Sequence, residues 1–298
     1  MKDVDSIKNL RELALFAGAG GGILGGHLLN WRTVCAVEIE PYPAIVLAKR
    51  QEDGHLPPFP IWDDICTFDG RPWRGRVDVI SGGFPCTDVS VAGKGAGIDG
   101  EASGLWREYA RIIREIRPRY VFVENSPALR TRGLARVLRD LAEAGYDAAW
   151  TVMGADDVGA PHKRKRMWIL GKVSDPSSIG RKEIPVQTGV AGETLGCASQ
   201  WKLSRTDSQV SDTKNEGTVR WNGELRADEE AAGSWSDLGV REKEDDCGEW
   251  WGSESGILRV VDGVANRMDM LKAIGNGQVP LVASQAFKYL YNKINSYE

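Results

Sequence analysis

LALFAGAGGGILGGHLL, residues 13–29, reads as a strand, a glycine turn and a helix in immediate succession. Leu13 to Phe16 form an apolar run suited to a buried strand. Ala17-Gly18-Ala19-Gly20-Gly21-Gly22 then supplies a turn, and Ile23 to Leu29 an apolar helix. This arrangement lets backbone approach a nucleotide-like ligand closely. The turn lacks the lysine of a phosphate loop, so a triphosphate is not the expected ligand. Many glycine turns only shape a chain reversal, so the neighbouring segments must decide.

Val34 to Val37 reads as a second strand, with Glu38 at its end, about twenty residues past the turn, a spacing that suits a carboxylate gripping ribose hydroxyls and equally a solvated carboxylate at a strand end. Pro41 to Gln51 reads as a helix, and Trp62-Asp63-Asp64-Ile65 puts another carboxylate at the end of a third strand. VDVISGGFPCTDVS, residues 77–90, runs from an apolar strand through Gly82 and Gly83 to Pro85 and Cys86. A thiol is thereby presented on a loop at the carboxyl end of a strand, the edge where open α/β sheets bind ligands. As a thiolate, cysteine is a strong nucleophile. Residues 88–103 are rich in Gly, Ala and Ser and read as a lid candidate.

Leu105 to Ile116 reads as an amphipathic helix with Tyr109, Ile112, Ile113 and Ile116 on one face. Tyr120 to Val123 is the next strand, ending in Glu124-Asn125. Leu129 to Ala144 reads as one helix, closed by Gly145. Ala148 to Val152 and Met167 to Leu170 read as further strands, with Pro161-His162-Lys163-Arg164-Lys165-Arg166 between them. Strands and helices alternate to about residue 172, which predicts a doubly wound parallel sheet. Glu38, Asp64, Cys86 and Glu124 all fall at strand carboxyl ends and should share one cleft.

Composition divides the chain. The 298 residues are 42% apolar and 27% charged, ordinary for a globular protein, with no run long enough to span a membrane. The first residues lack the apolar core of a signal peptide, so a cytoplasmic protein is expected. Five scattered cysteines without a CxxC pair argue against a zinc site or a disulfide framework. Residues 101–173 hold fourteen Lys/Arg against nine Asp/Glu, a net +5; residues 174–262 hold ten against eighteen, a net -8. The second stretch is also poor in aliphatic runs and holds five of the eleven tryptophans. We expect a first domain over 1–173, a small irregular module over 174–256, and a segment over 257–298 returning to the first domain. The return is led by Ile274 to Pro280 and a helix from Leu281 to Tyr291.

Five ordered motifs resemble those of the DNA (cytosine-5)-methyltransferases: FAGAGG (16–21), GGFPCTDVS (82–90), ENSPAL (124–129), HKRKRMWILG (162–171) and AIGNGQVP (273–280). Ser126 stands where that family usually has Val, and His162 where it has Gln. The small phage- and prophage-borne members look similar. The resemblance implies a class I S-adenosylmethionine-dependent methyltransferase fold: α/β, Rossmann-like, a doubly wound mostly parallel sheet with a small target-recognition domain. It implies transfer of a methyl group from S-adenosyl-L-methionine to carbon 5 of a flipped-out cytosine in a specific duplex DNA sequence. Cys86 would attack carbon 6, Glu124 would contact ring nitrogen 3 and the exocyclic amine, and Arg164 and Arg166 would hold the base carbonyl and nearby phosphate.

Cofactor contacts would come from Phe16, Ala17, Gly18, Gly20 and Gly21, with Glu38 and Ile39 at the ribose, Asp64 and Ile65 at the adenine, and Pro85, Leu105 and Asn276 completing the pocket; no metal is implied. The loop 83–104 would close over the flipped base, and 174–256 would choose the target through polar side chains such as Gln200, Arg205, Gln209, Arg220 and Asn222. Double-stranded DNA is the implied partner in a bacterial or phage-infected cell. The protein is expected as a monomer without membrane contact, with room for functional pairing with a restriction endonuclease.

Three rival readings stand beside this one. A tRNA cytosine-5 methyltransferase would share Cys86 and Glu124. A non-catalytic DNA-binding relative would usually lose the nucleophile or the cofactor loop. A nicotinamide-dependent oxidoreductase would explain the glycine turn and Glu38 but leave Cys86, Glu124, Arg164 and Arg166 idle.

Overall fold

The first strand, β1 (Arg11–Leu15), has parallel neighbours on both sides, β2 (Arg32–Val37) and β4 (Val79–Gly83), so the chain switches direction of winding beside it. This computed structural model describes residues 4–85, 104–174, 216–221, 225–228 and 267–296. Beyond β2 lies the short β3 (Ile61–Trp62), and beyond β4 lies β5 (Tyr120–Asn125). The sheet continues through β7 (Arg166–Val173), β6 (Tyr146–Met153), β8 (Glu216–Trp221) and β9 (Leu225–Asp228), in the order β3-β2-β1-β4-β5-β7-β6-β8-β9. Seven of these nine strands run one way; β7 and β8 run against them.

The doubly wound α/β sheet is as the sequence predicts, with two corrections. β7 is antiparallel to both neighbours. A parallel return needs a crossover, usually a helix. Residues 154–165 hold only a turn of 3-10 helix, Asp156–Val158, so the chain reverses directly. The predicted helix over 129–144 is two helices, α4 (Leu129–Arg132) and α5 (Leu134–Glu143), because Gly133, at φ 161° and ψ -8°, leaves the helical backbone between them. Within the stretch 174–256, the described strands β8 and β9 extend the sheet from β6.

Alternation along the strands feeds two apolar layers. Val121 and Val123 of β5, with Met167 and Ile169 of β7, pack toward α3 (Gly104–Ile116) and α5. Tyr120 and Phe122, with Trp168 and Leu170, pack toward the last helix, α7 (Pro280–Asn295). Phe287 of α7 is fully buried and meets Trp31, Tyr120 and Phe122 edge-on, with ring centres 4.7, 5.8 and 5.3 Å away. Residues 280–295 thus pack on the sheet through an aromatic interlock, the geometry that rings prefer. A third cluster joins β1, β2, α1 (Gly21–Leu28) and α2 (Pro41–Glu52) through Ala14, Ile23, Ala36 and Leu47. Among the described residues no helix is long and apolar enough to cross a membrane.

A carboxyl group lies fully inside the sheet. Glu12 of β1 is fully buried and accepts hydrogen bonds from the hydroxyls of Thr33 (2.7 Å) and Ser81 (2.6 Å) on the flanking strands. Burial pushes its carboxyl from an ordinary 4.5 up to about 7, against those two hydroxyls. The folded state therefore holds a proton that the unfolded chain releases. Stability from this group is complete below pH 4.5 and is lost as pH rises through about 7. Glu12→Gln should remove that dependence and gain on the wild type by on the order of 3 kcal/mol between pH 5 and 8. Urea unfolding at several pH values reads this difference directly; a pH-independent difference would mean that Glu12 does not titrate in the window.

Candidate active site

The cleft opens where the winding reverses, at the carboxyl ends of β1 and β4, the place at which such sheets bind ligands. It is lined by Leu15 to Gly18, Gly22 and Ile23 on one side and by Ser81, Gly82, Gly83 and Glu124 on the other. Asn276, Gly277 and Gln278 close it from the end of α6 (Arg267–Asn276) and the link to α7. Gly82 sits at φ 155°, and a Cβ there would stand 2.1 Å from the Leu15 carbonyl oxygen. Only glycine permits strands β1 and β4 to end this close together. At Gly21 a Cβ would stand 2.2 Å from the Gln278 carbonyl oxygen, so the glycine turn also admits the C-terminal link.

The glycine turn and Glu38 form one unit. Phe16 has φ 50° and stacks on Tyr109 at 6.3 Å. The Ala17 amide donates to the Val37 carbonyl at 3.1 Å, which lays the turn beside the end of β2. Glu38 is 8% exposed; its Oε2 accepts the Gly18 amide at 2.6 Å and its Oε1 the Glu40 amide at 2.8 Å. Gly20 begins α1 in the left-handed region, packed against Leu47. Ile39, next in sequence, is 65% exposed. Arg50 from α2 donates to the Ala19 carbonyl at 2.6 Å and braces the turn from behind.

Glu124 ends β5 in register with Gly83 of β4 and Trp168 of β7. Its side chain is 12% exposed, and Oε1 lies 3.0 Å from Arg166 Nε. Gln278 donates a second hydrogen bond to the same carboxylate. Burial drives the Glu124 carboxyl up to about 7, opposed by the charges of Arg166 and Arg164 and by these hydrogen bonds. A carboxyl near neutrality in a cleft is a proton donor and acceptor in waiting. Next to it, Asn125 is 2% exposed and its Nδ2 donates to the Phe84 carbonyl at 3.0 Å, which fixes the chain just before Pro85.

The predicted site residues divide. Phe16, Ala17, Gly18, Glu124 and Asn276 line the cleft, Glu38 and Gly21 contact its walls, and Arg166 reaches Glu124. Arg164, at φ 27°, sends its Nη2 to the carbonyls of Gly275, at 2.7 Å, and Gly277. Asp64 accepts the Cys66 amide and Ile65 is buried in the core, both outside the cleft lining, as is partly buried Leu105. Strand β3 ends two residues before Asp64, at Trp62. Pro85 is exposed; Cys86, with the rest of 86–103, lies outside the described residues. So do Gln200, Arg205, Gln209 and Asn222, while Arg220 falls on β8. Gln278 and Asn125 carry no role in the sequence reading, although both lie inside motifs quoted above. The signal for Gln278 was a long amide set between Gly277 and Val279-Pro280.

A family model described as C-5 cytosine-specific DNA methylase matches residues 10–259. The type II methyltransferase M.CviJI of Paramecium bursaria Chlorella virus IL3A is 33% identical over 174 residues, covering 57% of this chain and 46% of that protein. M.Eco47II of Escherichia coli is 32% identical over 168 residues, 55% of this chain and 39% of that one. M.NgoMIV of Neisseria gonorrhoeae is 31% identical over 234 residues, 71% of this chain and 72% of that one. The chain thus spans less than half the length of the first two relatives. Among solved structures, the S. pombe Dnmt2 methyltransferase superposes with a TM-score of 0.45 at 20% identity, over 56% of this chain and 50% of that one.

The pairing at Glu124 can be tested by itself. Arg166→Met should raise the Glu124 carboxyl further above about 7, because the largest opposing charge is removed. A carboxyl-carbon NMR titration reads the midpoint, and an unchanged midpoint would show that the two side chains are not paired in solution.

Proposed function

The chain belongs to the C-5 cytosine-specific DNA methylase family, and from that membership we propose that it transfers a methyl group from S-adenosyl-L-methionine to carbon 5 of a cytosine in duplex DNA. The observation that carries this reading is Glu124: a carboxyl poised near neutrality, facing the same cleft as the glycine turn and in register with Gly83 of β4, three residues before Cys86 in sequence.

The residues present fit the methyl donor. A carboxylate offers about four lone-pair sites, and backbone amides take one on each Glu38 oxygen, leaving the others for ribose hydroxyls. No atom lies within 4 Å of where a Cβ at Gly18 would stand, so the turn leaves room at the cleft. The exposed Ile39 side chain adds an apolar surface beside it. When bound, the donor supplies an electrophilic methyl group on its sulfonium.

This chain's residues would make the base reactive. The target base leaves the stack, since neither face of a paired cytosine is accessible inside a duplex. Cys86, as a thiolate, forms a bond from sulfur to carbon 6. Glu124, in its protonated form, gives its proton to ring nitrogen 3 and so takes up the charge that this addition creates. Carbon 5 then carries enamine character and bonds to the methyl carbon as the bond from that carbon to the donor sulfur breaks and S-adenosyl-L-homocysteine leaves. Loss of the carbon 5 proton to water, departure of the Cys86 thiolate and return of the nitrogen 3 proton to Glu124 restore the aromatic ring and the starting protonation. Arg166 keeps Glu124 oriented through the 3.0 Å contact.

Two measurements test the assignment. DNA from cells expressing the chain should carry 5-methylcytosine at a defined sequence, and Cys86→Ser should remove it while the purified variant still binds DNA. Substantial turnover by that variant would count decisively against a covalent route. Glu38→Ala should weaken S-adenosyl-L-methionine binding by about 1.5–3 kcal/mol, the worth of hydrogen bonds to a charged group. Calorimetry showing unchanged affinity would remove Glu38 from the cofactor site.

A further inference from the structure

Gln278 lies in the link between α6 and α7, far in sequence from both walls of the cleft that it touches. Its carbonyl oxygen packs on Gly21, 2.2 Å from where a Cβ would be, and its side-chain Oε1 packs on Gly22, at 2.5 Å. On the opposite wall, a Cβ at Gly83 would meet Gln278 Nε2 at 3.3 Å and Glu124 Oε2 at 2.3 Å. The amide nitrogen and the carboxylate oxygen thus converge over the same glycine, and a side-chain hydrogen bond joins them. Gly22 and Gly83 give the side-chain amide its room, and Gly21 admits the backbone that carries it.

We propose that Gln278 is the positioning residue of Glu124, a strut that spans from the glycine turn to the carboxylate and fixes the face that the carboxylate presents to a base. The inference rests on the reading of Glu124 given above. The carboxylate has two anchors: Arg166 Nε lies at Oε1, and the Gln278 side chain, whose Nε2 shares the space over Gly83 with Oε2, donates a second hydrogen bond. Two separate anchors stop rotation of the carboxylate plane, which one anchor would leave free. The strut is itself fixed, because Arg164 holds the carbonyls of Gly275 and Gly277 immediately before it. Among the described residues the charged groups that act on Glu124 are Arg166 from β7 and Arg164 from the preceding turn; β4 offers only Gly83. A neutral amide is the donor that orients a carboxylate without adding a third positive charge. A lysine or arginine in its place would favour the ionised form and oppose proton donation to the base.

The test uses the full chain with Gln278→Met, Gln278→Glu and Glu124→Gln, each checked for fold by circular dichroism. Carboxyl-carbon NMR gives the Glu124 midpoint without DNA or methyl donor, and methyl-transfer kinetics give kcat against pH. Gln278→Met removes the donor, so the Glu124 midpoint should rise and kcat near pH 7 should fall by roughly ten- to a hundredfold. Affinity for S-adenosyl-L-methionine should change far less. Gln278→Glu should raise the midpoint through repulsion between the two carboxylates, which reports that the side chains are close, while the loss in kcat on Gln278→Met at unchanged cofactor affinity reports the positioning. If both variants fold and leave the midpoint and the pH profile where the wild type has them, the proposal is wrong. If Gln278→Met does not fold, Gln278→Asn, which keeps the amide but falls one methylene short of the carboxylate, replaces it with the same expected rise in midpoint and fall in kcat. Should Glu124→Gln keep full activity, the reading of Glu124 fails first and the strut has nothing to position; should Glu124→Gln be inactive while the Gln278 variants match the wild type, only the strut falls.

Discussion

Three backbone segments meet at a distance that a single methyl group would close. The end of β1, the end of β4 and the link after α6 converge on the glycines at 21, 22, 82 and 83, where an added Cβ would stand 2.1–2.5 Å from oxygen atoms of neighbouring segments. This crowding fixes where the cleft can be. Strands β1 and β4 are neighbours because the winding reverses between them, and their carboxyl ends leave a crevice. The glycines bring the C-terminal link over that crevice, so that Asn276 to Gln278 form a wall of it. A chain that bound only a nucleotide at its glycine turn would not need Gly83, which faces the carboxylate of Glu124 rather than the turn.

Two buried carboxyl groups show how surroundings assign different work to one side-chain type. Both Glu12 and Glu124 are driven up to about 7 by burial. Glu12 meets two hydroxyls inside the sheet, with no cation and no opening to the cleft lining. Its proton can leave only at a cost to the fold, which makes it a group of structural consequence. Glu124 meets a guanidinium and an amide and lines the cleft. The cation keeps its ionised form within reach, and so its proton can move during a reaction. Burial alone would have left both carboxyl groups inert.

Much of this was legible in sequence. The apolar runs of β1, β2, β5 and α3 announce themselves by period, and Phe16 to Gly18, Glu38 and Glu124 fall where strand ends put them. What was not legible depends on contacts between distant segments. The direction of β7 follows from what residues 154–165 lack, a crossover helix, and a list of strands does not carry that information. The break at Gly133 escaped because a lone glycine does not by itself end a helix, although Leu129 falls out of phase with the apolar face of Leu134, Val137, Leu138 and Leu141. Asp64 stands at the right place in the chain, but β3 stops at Trp62, and the Asp64 carboxylate turns to the Cys66 amide instead. Gln278 escaped because its partners lie on two other segments, neither of which points to it in sequence.

The basic run 162–166 resolves the same way. It alternates like the strand it leads into: Arg164 and Arg166 are partly buried, while Lys163 and Lys165 are exposed. Arg166 turns to Glu124, and Arg164 to two backbone carbonyls at the end of α6. Carbonyls in the last turn of a helix lack partners within it, and a planar guanidinium can serve two at once where an ammonium acts as a point. Burial, followed by the neighbouring Arg166 charge, pushes the Arg164 guanidinium below its ordinary value, with Glu124 opposing. Two like charges are tolerated side by side because one carboxylate and two carbonyl dipoles face them. A run whose family resemblance implies a grip on the base carbonyl and phosphate thus has a further contact on its inward side: it clamps the returning C-terminal link onto the cleft and so holds in place the residues that meet Glu124.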